Sequence, residues 1–66
     1  MRQIDYCYST KMRVYFNNTL EMLFDGKLDG VVFKCEMLMD QYGFTCAEVI
    51  DENTGELLVT INEDED

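Results

Sequence analysis

Histidine is absent from the chain, serine occurs once, at Ser9, and the three cysteines (Cys7, Cys35, Cys46) stand far apart with no C-x-x-C pair. Without histidine the usual nucleophile–base pairs of serine and cysteine catalysis cannot be assembled. The ligand spacing of a zinc or iron–sulfur site is missing as well, so no cofactor is expected. An odd number of thiols cannot all pair within one chain, and these read as reduced, at least two of them buried as small apolar residues. No glycine-rich phosphate-binding loop occurs, and the five cations form no tract. Carboxylate pairs carry little information in a chain this acidic, so an enzyme is not expected. No apolar run approaches the ~20 residues that span a bilayer, and no basic region with an apolar stretch behind it opens the chain, which implies a soluble, cytoplasmic protein.

Positive charge is missing from the second half altogether. Residues 1–35 hold all five cations (Arg2, Lys11, Arg13, Lys27, Lys34) against four acids (Asp5, Glu21, Asp25, Asp29), a net of +1. Residues 36–66 hold ten acids and no Lys or Arg, a net of −10, which brings the chain to its formal −9. Such a surface repels nucleic acid and anionic membrane and speeds encounter with basic partners in a salt-dependent way.

What is present is a foldable apolar fraction, 47% of 66 residues, which acidic disordered chains lack. The clearest segment is Val31 to Tyr42. At about 100° per residue, Val31, Val32, Cys35, Leu38, Met39 and Tyr42 form one apolar stripe of a helix. Asp29 reads as its N-cap and Gly43 as a left-handed residue after its end, with Phe44 free to fold back on the last turn.

Ahead of that helix two readings compete. Ile4, Tyr6 and Tyr8 alternate, as do Met12, Val14 and Phe16, and a turn at Ser9-Thr10-Lys11 would match them as three apolar pairs of a hairpin over residues 3–16. A helix from Ser9 or Thr10 would instead align Met12, Phe16, Leu20, Leu23 and Phe24, through residues that are mediocre helix formers. The matched pairs favour the hairpin. Asn18 stands three before Glu21, the spacing of a capping box, which predicts a helix beginning there with Leu20, Leu23 and Phe24 buried. Two Asp-Gly pairs, Asp25-Gly26 and Asp29-Gly30, predict a break before the main helix, the alternative being one continuous helix from Thr19 to Tyr42.

After Gly43, the segments 44–51 and 56–62 flank Glu52-Asn53-Thr54-Gly55 as a hairpin. Its register leaves open whether Cys46 or Ala47 points inward. The expected fold is a single α+β domain over residues 1–62, one or two central helices packed against antiparallel hairpins in a ββαββ-like order, followed by a disordered acidic tail at 63–66. A chain this short buries only about 60% of its unfolded surface, which makes a homodimer a natural source of further stability.

Three groups of residues are candidates for function. Glu36, Asp40, Glu48, Asp51, Glu52 and Glu56 form the acidic surface for a partner. Phe33 and Met37, one turn apart on the side of the helix opposite its core stripe, need either a covering layer from the first hairpin or another chain. Asp25, Asp29 and Glu36 overlap the pattern of an EF-hand calcium loop, but Lys27 occupies its third ligand position and Phe33 its ninth, which leaves a divalent-cation binder the weakest reading. Ten carboxylates can approximate a run of phosphates, repeating every ~1.7 Å along duplex DNA. The composition therefore points to an acidic module that occupies a basic protein surface, one meant for nucleic acid. Small, strongly acidic, histidine-free proteins are a type that phages and mobile elements use against host restriction or CRISPR nucleases. The alternative is a homodimeric assembly or adaptor protein whose charge is incidental.

Overall fold

The computed structural model describes residues 4–63, and alternation around Met12 decides its architecture. Strand β1 (Ser9–Phe16) turns into β2 (Leu20–Lys27), helix α1 (Leu28–Tyr42) crosses over, and β3 (Cys46–Asp51) turns back as β4 (Leu57–Asn62). The strands form one antiparallel sheet in the order β2-β1-β3-β4, and α1 packs on one face of it, against β2, β1 and β3. This is the expected small α+β domain, with both hairpins in one layer.

The first hairpin lies later in the chain than its alternation suggests. Met12, Val14 and Phe16 pair with Phe24, Met22 and Leu20, and not with Tyr8, Tyr6 and Ile4 across Ser9-Thr10-Lys11. Asn17 (φ 52°) and Asn18 (φ 58°) both sit in the left-handed region, which asparagine tolerates better than most residues and which a type I′ hairpin turn requires. Thr19 N–H closes that turn on Phe16 O at 3.0 Å. The alternative helix from Ser9 or Thr10 is therefore absent, and so is the helix expected from Asn18. Glu21 is no capping residue but a strand residue beside Arg13, and Leu23, alternating outward, is exposed. Cross-strand pairing of three apolar residues outweighs a capping box that had no amphipathic helix behind it.

The helix begins at Leu28, earlier than Val31, and its cap is not Asp29. Lys27 occupies the N-cap position with extended backbone and no side-chain hydrogen bond. The chain ahead of β1 does the capping: Leu28 N–H donates to Tyr8 O at 2.8 Å and Asp29 N–H to Tyr6 O at 3.0 Å, which satisfies two of the amides a helix start leaves open. Of the two Asp-Gly pairs, Asp25-Gly26 belongs to β2, with Gly26 at φ 140°, and Asp29-Gly30 lies inside the first helical turn. Neither a pair of helices nor a continuous one from Thr19 forms. The C-terminal end is as expected, with Gly43 left-handed at φ 79°, its N–H on Met39 O, and Phe44 against Tyr42 at 6.0 Å.

Leu28, Val31, Cys35 and Met39 pack on Met12, Val14, Phe16, Ala47 and Val49, all buried. Val32 and Leu38 border this core, whereas Tyr42 is exposed, because Phe44 takes the position over the sheet and stacks on Phe16 at 5.0 Å. Ala47 is the inward residue of β3 and Cys46 lies on the opposite face. Gly55, at φ 78°, supports the second turn, and a register shift between Val49 and Ile50 bends β3 against β4. Of the thiols only Cys35 is buried, fewer than expected; Cys46 is half-buried and Cys7 exposed, and all are free. Burial and the neighbouring Glu36 push the Cys35 thiol up to about 11, so it is an inert part of the core. Glu63, the last residue described, is tied by its N–H to Thr45 O at 2.9 Å, so the acidic tail is anchored at its start; residues 64–66 lie outside the described residues.

Candidate functional site

Two carboxylates of the expected acidic surface are committed inside the fold. Asp51 alternates to the helix-covered face of β3 and is 2% exposed. A buried carboxylate needs donors, and it has them: Tyr8 O–H at 2.5 Å and Asn53 N–H at 2.8 Å. The Tyr8 bond, with those from Asn53 and Thr54, holds the Asp51 carboxyl below its ordinary range against the opposing effect of burial, and the same bond raises the Tyr8 hydroxyl. Glu52 receives two parallel bonds from Arg13, Nε and Nη2 each at 2.7 Å, and is lowered by them. Arg13 also pairs with Glu21, so the central cation of the sheet is held between two acids.

The remaining expected residues divide between opposite sides of the molecule. Glu48 lies on the uncovered face of the sheet, opposite Thr60 and Tyr15, while Glu56 stands in the second turn. Glu36 and Asp40 lie on α1, and there the structure brings together what the sequence presented as separate groups. Asp29, Phe33, Glu36, Met37 and Asp40 follow one another at helical spacing on its outer side, every one exposed. Phe33 is 63% and Met37 56% exposed, so neither is covered by the first hairpin, which lies in the sheet on the other side of the helix. Beside them a groove of about 280 Å³ runs between α1 and β2, lined by Phe24, Lys34, Met37, Leu38 and Gln41. The ammonium of Lys34 lies 5.9 Å from the centre of the Phe24 ring of β2.

The calcium-loop pattern is not realised. Asp25 belongs to a strand and residues 28–36 are helical, so the segment has no loop in which carboxylates could encircle an ion, and among the described residues no three Cys, Asp or Glu side chains converge. One structural residue escaped the sequence reading altogether. The Oδ1 of Asn17 accepts from Thr45 N–H at 3.1 Å and Cys46 N–H at 3.0 Å, while its own N–H donates to Cys46 O, so the first turn is clamped to the start of β3. Its only signal was the Asn-Asn pair. Comparison with protein families, with curated proteins and with solved structures returns no match for this chain. Among the described residues no helix is long and apolar enough to cross a membrane.

Proposed function

We propose that this chain is a small acidic protein-binding module that seats the outer face of α1 on a basic surface of another protein, one built to hold nucleic acid. The supporting observation is the exposed Phe33–Met37 pair bordered by Asp29, Glu36 and Asp40 on one side, with Lys34 and Gln41 beside Met37 on the other. Exposed apolar pairs of this kind mark interaction sites, and an adjoining field of one sign selects the partner and speeds encounter. The finer reading follows from composition: an inhibitor of the sort phages and mobile elements direct at nucleic-acid-cleaving host enzymes, acting in the cytoplasm, without catalysis and without contact to nucleic acid itself.

The homodimer is a second reading, and the same exposed pair supports it. Affinity capture from a cell lysate at low and high salt, with the bound protein identified and then challenged with duplex DNA, tests the proposal. Capture should weaken as the Debye length falls from about 10 Å at 0.1 M salt to about 3 Å at 1 M, and duplex DNA should displace the module. Glu36→Lys with Asp40→Lys should abolish it, and so should Phe33→Ser with Met37→Ser, both variants remaining folded. Capture indifferent to salt and to the lysines, or salt-resistant self-association alone, would overturn it.

A further inference from the structure

The outer side of α1 is not uniform around the helix. At about 100° per residue, Asp40, Asp29 and Glu36 stand within about 60° on one side of Phe33, while Met37, Gln41 and Lys34 stand within about 100° on the other. The three carboxylates make no hydrogen bond and no ion pair among the described residues, so their charge is not spent within the fold. The apolar strip, by contrast, does not end at Met37. It continues into the groove of about 280 Å³, which Met37 and Leu38 line together with Phe24 of β2. Lys34, Met37, Leu38 and Gln41 succeed one another at one-turn steps, so the groove runs along the helix axis.

We infer that an amphipathic helix of the partner lies along this strip, places an apolar side chain in the groove, and carries Lys or Arg on its flank over Asp29, Glu36 and Asp40. The inference rests on the α1 site proposed above and names the element that occupies it. Hydrogen bonding selects a helix. The amides and carbonyls of α1 are bonded within it, so an extended segment laid along it would leave its own main chain unpaired, whereas a helix brings its bonds with it. The neighbouring edge of β2 carries Glu21, Asp25 and Gly26 at φ 140°, features that discourage a further strand there. Charge selects the flank. The carboxylates are separated by steps of seven and four residues, the steps at which positions recur on one stripe of a helix. Cations at the same steps on the partner meet them over about 16 Å. A second copy of α1 offers one cation, Lys34, to three carboxylates, and that ammonium already lies against the Phe24 ring.

The test uses a synthetic peptide about as long as α1, with leucines on one helical stripe and lysines at seven- and four-residue steps on one flank, titrated into the whole protein. Amide resonances of α1 and of Phe24 should shift, and circular dichroism should show the peptide gaining helix. Replacing the lysines by glutamates should weaken binding at least about tenfold, because like charges would then face each other. Replacing the central leucine of the peptide by serine should abolish it, a control that leaves the protein untouched. Glu36→Lys with Asp40→Lys should reject the lysine peptide and accept the glutamate one. Overall charge does not explain that exchange, because the double variant moves only from −9 to −5 and still repels an acidic peptide as a whole. A peptide bound in extended form, shifts lying outside α1 and β2, failure of the charge exchange, or self-association through α1 would each overturn the inference. The two claims fail separately. Partner capture that the lysine variant loses, with no peptide bound by the native protein, refutes the helix and leaves the α1 site standing. Peptide docking with the charge exchange, in a protein whose partner capture ignores both lysines, refutes the larger reading alone.

Discussion

Asp51 on the covered face of the sheet and Arg13 on the open one are both charged groups held by the fold, and they are held in different ways. On the covered face, Asp51 stands opposite Met12, is nearly sealed from water and is secured by a tyrosine hydroxyl and a backbone amide. On the open face, Arg13 stands in the cross-strand row Leu23–Arg13–Ile50–Leu57, partly exposed between Glu21 and Glu52. Burial and hydrogen bonding carry the covered face, while attraction screened by solvent carries the open one. Heat, acid and salt should therefore act on the two faces unequally.

The largest effect is expected from emptying the covered face. Phe16→Ala removes a fully buried ring that also stacks on Phe44. Such a deletion costs about 3–5 kcal/mol, and a domain of this length has about 3–10 kcal/mol in all. Chemical denaturation should find the variant largely unfolded at room temperature. Next comes pH. The Asp51 carboxyl is depressed from its ordinary 3.8, so its contribution is complete above that value and is lost as pH falls through the lower folded-state value. Tyr8 is raised from 10.0, so its contribution is complete below that value and is lost as pH rises through the higher folded-state value. Glu52, lowered from 4.5, adds to the acid fall, and Cys35, raised from 9.0 to about 11, adds to the alkaline one. A melting-temperature profile should accordingly be flat between these limits and fall on both sides, and Tyr8→Phe should shrink both falls and leave the share of Cys35 on the alkaline side. An acid limb unchanged in Tyr8→Phe would show that the bond does not hold Asp51.

Smaller still is the expected effect of Arg13→Gln on the open face. It should lower the melting temperature slightly at low salt and not at all at high salt, since partly exposed ion pairs are screened. A loss equal to that of Phe16→Ala would erase the contrast between the faces. Thiol labelling sharpens it without changing stability: Cys7 should react first, Cys46 on the open face next, and Cys35 only after denaturation. Rapid native labelling of Cys35 would mean that the face beneath α1 is not sealed.

The C-terminal hairpin was readable because its turn and its β-branched runs agree, and the centre of α1 because its stripe is long and ends at a glycine. The N-terminal half misled for a definite reason. Alternation identifies a strand but not its partner, and Met12, Val14 and Phe16 had apolar alternation on both sides. Only the paired positive φ angles of Asn17 and Asn18 favour the later hairpin, and such angles are weakly encoded in side-chain chemistry. The cap of α1 could not be read because it consists of main-chain carbonyls at Tyr6 and Tyr8, which any residue could supply. Charge was legible as a total and as an asymmetry along the chain. That Asp51 is interior and that Glu52 is spent on Arg13 depended on strand register, which composition does not contain, whereas Glu36 and Asp40 stand beside Phe33 and Met37 by helical spacing alone.

Tyr8 contributes to two junctions at once, its carbonyl to the first amide of α1 and its hydroxyl to the last residue of β3. It works as a splice between elements that are distant along the chain. If the segment ahead of β1 detaches or is trimmed by a protease, the helix start and the buried carboxylate lose their partners in the same event. The weakest-looking stretch of the molecule, a few residues outside any strand or helix, therefore ties the start of the helix to the end of β3, in addition to the β1–β3 ladder that joins the two hairpins.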